Sequence, residues 1–179
     1  MSGLEQAFRV EFREIDLDRD RDLCIAFRAD SFVCSFGTDE RFFRDAGPGC
    51  REYLERLRRQ NHDLPGSCVH VWQNHRIVGQ VELRRDPSSS ERGHVVLFYL
   101  IPVVRGSGIA EDLHRYAIRL LGQAGITTAW LRVGPSNTRA VRYYVKHGWH
   151  DRGQDPEHPE TNRMERGVKD SEGRCDDGA

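Results

Sequence analysis

The sequence lacks several features that would assign a function at once. It has no excess of positive charge, because 27 Lys and Arg stand against 28 Asp and Glu, and this balance argues against a protein that coats duplex nucleic acid. It has no apolar run of the roughly 20 residues that a membrane span needs, since Pro102 interrupts the longest run, at 95–104. No segment repeats along the chain, which excludes solenoids and propellers.

Paired cysteines and clustered metal ligands are also absent from the pattern. The five cysteines, at positions 24, 34, 50, 68 and 175, are odd in number, widely spaced and free of any C-x-x-C pair. This arrangement is typical of reduced thiols in the cytosol, and it provides neither a zinc ligand set nor a nucleophile motif. The charged segment 1–30 lacks the apolar core of a signal peptide. We therefore expect a cytoplasmic protein without a bound metal.

What is present has the size and aromatic content of one folded domain. The chain has 179 residues, 37% of them hydrophobic, with 8 Phe, 5 Tyr and 3 Trp. We expect a single domain over residues 1–168, followed by a disordered tail at 169–179. A polar loop is expected at 86–93 and irregular structure at 36–49. Apolar spacing predicts strands at 7–15, 67–73, 76–85, 94–101, 126–133, 149–152 and 160–168, and helices at 18–32, 50–60, 109–124 and 136–147.

A glycine-rich turn, Arg105-Gly106-Ser107-Gly108-Ile109-Ala110, separates the buried strand at 94–101 from the most regular helix. Gly106 and Gly108 allow a ligand to approach the backbone closely, and the free N–H groups of a first helical turn attract phosphate oxygens. Arg105 adds a charge whose geometry suits phosphate. The turn lacks the lysine of a P-loop, and Glu111 replaces the third glycine of the dinucleotide fingerprint. The hexapeptide matches the R-x-x-G-x-[GA] turn of coenzyme A acyltransferases in full, although a plain strand-to-helix turn is equally consistent with it alone.

The surrounding residues strengthen the acyltransferase interpretation. The segment 98–102 runs directly into the turn, and Asn137, Ala140, Tyr144, Gly148 and Trp149 follow at the spacing N-x-x-A-x-x-x-Y-x-x-x-G-[FW]. Over residues 94–153 the chain resembles the GNAT family of N-acetyltransferases. The resemblance implies acetyl-CoA as cosubstrate, acetyl transfer to an amine, and a mixed central β-sheet of six to seven strands, splayed at a bulge and flanked by about four helices. The alternation of strands and helices from His94 onward independently predicts this α/β (α+β) class.

The resemblance also implies which residues contact the cofactor. The backbone of Leu100, Ile101 and Pro102 would lie along pantetheine, and Pro102 would disrupt the sheet there because it has no N–H. Asn137 would hydrogen-bond pantetheine. Arg139 forms a basic ridge with Arg142 and Lys146 and is a candidate for the ribose phosphate, although most such ridges are only solvated faces. The turn would hold the pyrophosphate through Arg105, Gly106, Ser107, Gly108, Ile109 and Ala110.

The candidate catalytic residues are Tyr144, His94 and Glu82. By resemblance, Tyr144 meets the thioester sulfur, where a phenol with a pKa of about 10 faces a thiol that leaves with a pKa of about 8.5. The Leu100 N–H is the candidate donor to the developing oxyanion. A base must also deprotonate the amine: His94 stands where some family members place a carboxylate, and Glu82 is the second candidate. A strand-end histidine and a solvated carboxylate are the alternative interpretations of these two residues.

The sequence thus predicts direct transfer of an acetyl group from acetyl-CoA to a primary amine of a small molecule or peptide, without a covalent enzyme intermediate. A non-catalytic acyl-CoA-binding module and an unrelated nucleotide or NAD enzyme stay open as alternatives. Segment 36–65 is expected to form one wall of the acceptor site, where Asp39, Glu40, Phe42 and Phe43 are candidates to meet a cationic amine. The strand at 160–168 is expected at a sheet edge, where it would offer a surface for a homodimer. No nucleic acid or membrane is expected as a partner.

Overall fold

A computed structural model describes residues 10–168 of the chain. The strands are β1 (Glu11–Glu14), β2 (Cys68–Gln73), β3 (Arg76–Asp86), β4 (Ser89–Leu100), β5 (Thr128–Val133), β6 (His150–Gln154) and β7 (Asn162–Gly167). The helices are α1 (Leu17–Phe36), α2 (Glu40–Asp45), α3 (Arg51–Asp63), α4 (Ile109–Gln123) and α5 (Thr138–Lys146), with short 3-10 turns at Pro48–Cys50 and Pro102–Val104. None of the helices within this range has an apolar stretch long enough to cross a bilayer.

One seven-stranded sheet contains all of these strands, in the order β1-β2-β3-β4-β5-β7-β6. Neighbouring strands are antiparallel except β4 and β5, which run parallel because α4 connects them as a crossover. The α/β (α+β) fold with a mixed sheet, predicted from the sequence, is confirmed.

The sheet opens between its two parallel strands. Pairing of β4 with β5 is limited to residues 92–95 against 128–131. At that point Leu83 pairs with Val95 and Glu82 with Leu97, so Val96 is an extra residue that forms a β-bulge and bends β4 away from β5. The predicted splay at a bulge is therefore correct, but the break begins at Val96 rather than at Pro102, which starts the 3-10 turn after the strand.

Helices cover both faces of the sheet. On one face, the apolar stripe of α4 packs Leu113, Ala117 and Leu121 against the sheet interior. On the other face, α1, α2 and α3 enclose a second core that contains Phe42, Tyr53 and Leu57. The open part of the sheet lies between these two layers, so a ligand there would contact helices from both faces.

Several sequence predictions are wrong in detail. The segment 36–49 contains α2 rather than only irregular chain, and most of the predicted loop at 86–93 is strand because β3 and β4 continue to a tight turn at Pro87 and Ser88. The strand expected at 160–168 forms as β7, but it pairs with β5 and β6 and so has no free edge for a homodimer. The predicted tail at 169–179 and the first residues of the strand predicted at 7–15 lie outside the described residues.

Candidate active site

A cavity of about 610 Å³ occupies the opening between β4 and β5. Residues from α4, α5 and the glycine turn line one end, which we call the turn end, and residues from α1, α2, β5 and the β6–β7 loop line the other, which we call the arginine end. The turn end includes Leu100, Gly106, Gly108, Ala110, Asn137, Arg139 and Tyr144. The arginine end includes Arg28, Phe32, Arg41, His94, Arg132, His158 and Glu160. The cavity thus connects the two faces of the sheet.

Backbone N–H groups are available at the turn end. Gly106 and Gly108 have φ values of +86° and +90°, a region that residues with side chains enter only with strain. Gly108 is the N-cap of α4 and provides no side-chain cap, and within residues 10–168 the N–H groups of Gly106, Gly108, Ile109 and Ala110 have no hydrogen-bond partner. Because these groups lie at the positive end of the α4 dipole, they form a site suited to phosphate oxygens.

Two side chains of α5 complete the turn end. The Nη2 atom of Arg139 lies 3.9 Å from the position that a Cβ would take at Gly106, so its charge is next to the turn. Asn137, rather than the predicted Ser136, caps α5, since its Oδ1 accepts a hydrogen bond from the Ala140 N–H at 3.2 Å. The capping contact uses only the carbonyl of Asn137, which leaves its amide donors for a ligand in the cavity. Arg142 is exposed on the same helix and does not line the cavity.

Other residues predicted to bind the cofactor have partners within the protein. The Arg105 side chain folds back, with Nε donating to the Leu100 carbonyl at 2.8 Å and Nη2 pairing with Asp30 at 3.2 Å. The Ser107 hydroxyl donates to the Val104 carbonyl at 2.7 Å, and the Ile109 side chain is buried in the core. The side chains of Ser107 and Ile109 can therefore contribute little to a ligand. The Ser107 N–H is also occupied, since it donates to the Val104 carbonyl at 3.3 Å, whereas the Ile109 N–H has no partner within residues 10–168.

The strand end at Leu100 has one open side. Ile101 and Pro102 do not line the cavity, and the Ile101 N–H donates to the Val78 carbonyl on β3 at 2.9 Å. Because successive backbone groups of a strand point to opposite sides, the Leu100 N–H is directed towards the opening where β5 is missing. This direction is the one that a donor to a ligand carbonyl would need.

Tyr144 lines the cavity, and its neighbour Tyr143 is occupied elsewhere. The Tyr144 ring lies 6.5 Å from that of Phe98 and 5.7 Å from that of Trp149, and its hydroxyl has no hydrogen-bond partner within residues 10–168. Burial raises the pKa of Tyr144 well above its usual value, so the phenol keeps its proton at neutral pH. The Tyr143 hydroxyl donates to the Ala110 carbonyl at 2.7 Å and so ties α5 to α4.

His94 lines the arginine end as a hydrogen-bond donor. Its ring stacks on Trp130 with 3.7 Å between centroids, and the Arg84 Nε donates to its Nδ1 at 3.1 Å. Burial, together with the charges of Arg84 and three further arginines, lowers the pKa of His94 well below its usual value. Because a guanidinium is always a donor, Nδ1 is the acceptor and Nε2 carries the proton of the neutral ring. This tautomer offers no free nitrogen to deprotonate an amine, so the structure gives no support to His94 as the base.

Glu82 lies away from the cavity. The side chain is fully buried on β3, where Oε1 accepts hydrogen bonds from the Tyr53 hydroxyl at 2.7 Å and from the Gln80 amide at 2.8 Å. It therefore ties α3 to the sheet and contacts neither His94 nor the cavity. The full burial also contradicts the interpretation of Glu82 as a solvated surface carboxylate.

Apart from His94, the residues of the arginine end were not predicted from the sequence. Arg28 on α1 donates from Nη1 to the Val96 carbonyl at 3.1 Å, and Arg132 on β5 pairs with Asp155 at 3.0 Å. Arg41 on α2 forms an ion pair with Glu160 and donates to His158 Nδ1 at 2.6 Å. Four separate elements supply these side chains, so no local spacing could have predicted the group. The only sequence signal was the polar run at 154–161 between the last two strands.

Most of the residues of segment 36–65 that were predicted to meet an amine do not reach the cavity, whose lining from this segment includes Arg41. Phe42 is buried in the core, and Asp39, Glu40 and Phe43 do not line the cavity. Within residues 10–168, no group of three or more His, Cys, Asp or Glu side chains could hold a metal ion.

Comparisons with known proteins identify the fold and the family. Residues 6–149 match the sequence profile of the Acetyltransferase (GNAT) family. The PaiA N-acetyltransferase from Thermoplasma acidophilum, solved in complex with coenzyme A, has a TM-score of 0.72 and 17% identity over 89% of this chain and 99% of that one. A GNAT acetyltransferase from Staphylococcus aureus Mu50 has a TM-score of 0.68 and 18% identity over 90% and 100% of the two chains. The NatC complex bound to Gag peptide and CoA gives a TM-score of 0.65 and 14% identity over 90% and 99%.

These structures show the fold alone, because their sequence identity to this chain is low. No curated protein sequence matches the chain. The family profile carries more weight, since it spans the bulge in β4, the glycine turn and α5 in one continuous match. The chain therefore belongs to the Acetyltransferase (GNAT) family.

Proposed function

We propose that the protein is an acetyl-CoA-dependent N-acetyltransferase that transfers the acetyl group directly to a primary amine. The observation that carries this proposal is the single cavity that joins unpartnered amides at the start of α4 to Tyr144 and, through the opening in the sheet, to a chamber on the opposite face. A thioester arm and an amine can enter such a cavity from opposite ends. The coenzyme A bound to the PaiA N-acetyltransferase supports the same cofactor here.

In this proposal the turn end holds coenzyme A. The N–H groups of Gly106, Gly108, Ile109 and Ala110 bind the diphosphate, and Arg139 adds a charge-assisted contact to a phosphate. The pantetheine amides pair with β4 around Leu100 in place of the missing β5 neighbour, as an added strand does. Asn137 contributes its amide donors. Arg105 acts indirectly, because its contacts with Asp30 and the Leu100 carbonyl hold the turn in position.

The chemistry follows from the groups around the opening. The amine nitrogen attacks the thioester carbonyl, the C–S bond breaks, and the Leu100 N–H stabilises the oxyanion between these steps. Because the pKa of Tyr144 is raised above that of a thiol, the phenol donates a hydrogen bond to the departing sulfur rather than its proton. The proton that the amine loses finally neutralises the thiolate.

The proton acceptor for the amine is a carboxylate of the arginine end. Of the residues that the structure describes, two carboxylates line the cavity, Glu111 at the turn end and Glu160 at the arginine end. We assign the role to Glu160, which takes the proton directly or through one water. It replaces His94 and Glu82, which the sequence had suggested.

Two arginines of α5 provide a matched test of the cofactor site. We expect Arg139→Glu to weaken acetyl-CoA binding about tenfold or more, because a charge-assisted hydrogen bond is worth about 1.5–3 kcal/mol. Arg142→Glu makes the same change of charge outside the cavity and should change the affinity less than about twofold, given the weak effect of exposed charges. Calorimetric titration measures both, and equal losses in the two variants would contradict the assigned cofactor site.

Transfer itself is tested by free-thiol release from acetyl-CoA with a panel of primary amines. Release that depends on the amine supports the enzyme. Tight acetyl-CoA binding without release for any amine would instead identify a non-catalytic acyl-CoA-binding module of the same fold.

A further inference from the structure

We propose that the arginine end of the cavity binds the carboxylate of the acceptor, so that the substrate is an α-amino carboxylate rather than a simple amine or polyamine. This inference rests on the proposed function and names the substrate class of the same site. Its basis is an excess of positive charge at the place where the amine must enter.

Of the three arginines that line this end of the cavity, Arg28 is the one without a counter-charge in residues 10–168. At this end of the cavity Arg41 pairs with Glu160 and, at 3.5 Å, with Asp45. Arg132 pairs with Asp155 and, at 3.2 Å, with Glu157. No carboxylate of residues 10–168 lies within ion-pair distance of Arg28. Its charge is therefore open to an anion that enters the cavity.

The hydrogen bonds of Arg28 are also incomplete. Its guanidinium has five N–H donors, of which Nη1 donates to the Val96 carbonyl at 3.1 Å, and its Nε is buried without a partner. The guanidinium carbon lies 5.2 Å from the centre of the Phe32 ring, which limits its movement on one side. A planar fork with unused donors is the geometry that binds a carboxylate in a bidentate manner.

Further charges around Arg28 favour an anion. Arg84 contacts His94 at 3.1 Å, and Arg163 shares Asp155 with Arg132. Five arginines therefore stand against four paired carboxylates, which are Asp45, Asp155, Glu157 and Glu160. Burial and, after it, these same charges lower the pKa of His94 and keep its ring neutral. Glu82 is buried behind this end and is bonded to Tyr53 and Gln80 rather than to an arginine. A polyamine would meet net repulsion at this end, whereas a carboxylate would meet attraction.

The position of Arg28 relates the carboxylate to the reaction. Arg28 holds the carbonyl of Val96, the bulge residue at which β4 and β5 separate and the thioester would pass through the sheet. A carboxylate on this guanidinium lies beside that passage, so the amine must be only a few bonds away from it. An α-amino group satisfies this distance, and the distant carboxylate of a long peptide does not.

The test compares leucine, which has a carboxylate, with leucinamide, which has an amide in its place, and with isoamylamine, which has neither. Spermidine serves as a cationic probe. Thiol release gives kcat/KM for each, and calorimetry on the coenzyme A-saturated protein gives binding without any need for transfer. We expect leucine to exceed leucinamide and isoamylamine at least tenfold in kcat/KM, and spermidine to be the poorest. Two dipeptides, one that begins with Asp and one that begins with Ala, distinguish a free amino acid from an acidic N-terminal residue. Only the first has a carboxylate close to its amino group, so reaction of that dipeptide alone would indicate an acidic N-terminal residue.

The variants Arg28→Gln and Arg28→Lys test the residue itself. Arg28→Gln should remove the preference for leucine mainly by raising KM, with a smaller decrease in kcat. Arg28→Lys keeps a positive charge and should retain part of the preference. Arg21→Gln, an exposed position of α1 outside the cavity, is the control and should leave the preference unchanged. Thermal unfolding of each variant separates a loss of folding from a loss of binding.

The outcomes separate this inference from the proposed function. If leucinamide and isoamylamine react as well as leucine, the carboxylate site is wrong although the enzyme is an acetyltransferase. If no amine releases thiol but leucine binds in a manner that requires Arg28, the carboxylate site is correct and the acetyltransferase proposal fails. The inference is overturned if leucine does not bind, or if it binds to the Arg28→Gln variant as tightly as to the unmodified protein.

Discussion

Tyr143 and Tyr144 are adjacent in sequence, yet their hydroxyl groups have different surroundings. Successive residues of a helix point about 100° apart, so only one of the two can face the cavity together with Asn137. The spacing N-x-x-A-x-x-x-Y favoured Tyr144 on the sequence alone. The structure adds the reason that Tyr143 is unsuitable, which is its hydrogen bond to the Ala110 carbonyl.

We expect Tyr144→Phe to lower kcat by about 10- to 100-fold. General acids typically contribute about 10²- to 10⁴-fold, and the effect here should be at or below the low end of that range because the thiolate is already a tolerable leaving group. The Kd for acetyl-CoA should change less than about twofold, since the hydroxyl meets only the sulfur of a large ligand. Steady-state kinetics and calorimetry measure the two quantities.

Tyr143→Phe is the matched control for this prediction. It removes the contact with Ala110 and should lower the free energy of unfolding by about 1 kcal/mol with a smaller effect on kcat. Parallel losses of kcat and acetyl-CoA affinity in Tyr144→Phe would instead show that the phenol serves binding.

Residue roles could be predicted from sequence only where one segment supplies all the partners. Gly106 and Gly108 were recognisable because a strand that turns into a helix requires positive φ values there. His94 was recognised as a cavity residue, but its tautomer depends on Arg84 across the β3–β4 pair. Arg28, Arg41 and Arg132 come from three elements, and their convergence depends on tertiary packing that no spacing records.

At the scale of elements, periodicity predicted α4 and the β2–β3 hairpin almost to the residue. Both owe their form to local patterns, an apolar stripe in α4 and a two-residue connection at Asn74 and His75 in the hairpin. A bulge was predicted, but its position at Val96 was not, because an extra residue in a long apolar strand leaves the hydrophobic run unbroken. Likewise, the pattern of β7 identified a strand but could not give its two neighbours.

His114 connects α4 to the last two strands, and its charge state links this contact to pH. Its Nε2 accepts hydrogen bonds from the Trp149 indole and from Arg166, each at 3.0 Å. Burial, followed by the charges of Arg166 and His147, lowers the pKa of His114 to about 4. A histidine in the unfolded chain titrates near 6.5, so between these two values the unfolded chain binds a proton that the folded protein does not.

We therefore expect the free energy of unfolding to fall as the pH is lowered from about 6.5 to about 4, by roughly 2–3 kcal/mol from His114. His70, His94 and His158 also have lowered pKa values and add to the decline. Urea unfolding at a series of pH values measures the slope. His114→Gln, which keeps an acceptor near Trp149 but cannot titrate, should reduce the slope, and an unchanged slope would refute the assignment.

At the scale of the whole molecule, the sheet consists of two parts that meet along a short seam. Four residue pairs join β4 to β5, and Arg92 reinforces them by pairing with Glu165 on β7 at 2.5 Å. The Trp130 indole adds a hydrogen bond to Asp86 on β3 at 2.8 Å. The seam is thus closed at one end and open at the other, and a ligand in the opening would replace the missing strand pairing.

This arrangement predicts that acetyl-CoA couples the two parts of the sheet. At a concentration of about 100 times Kd, binding should raise the free energy of unfolding by about 2.7 kcal/mol. In hydrogen exchange, we expect slower exchange at residues 106–110, at 97–100 of β4 and at 137–141 of α5, because the cofactor would contact all three. The amides at 92–95 are already paired and should change least. Protection confined to 106–110 would mean that the ligand sits on the helix end alone and does not enter the sheet. In Arg139→Glu at the same ligand concentration, the protection should fall by about tenfold at all three sites together, because a tenfold loss of affinity leaves about ten times more of the protein without ligand.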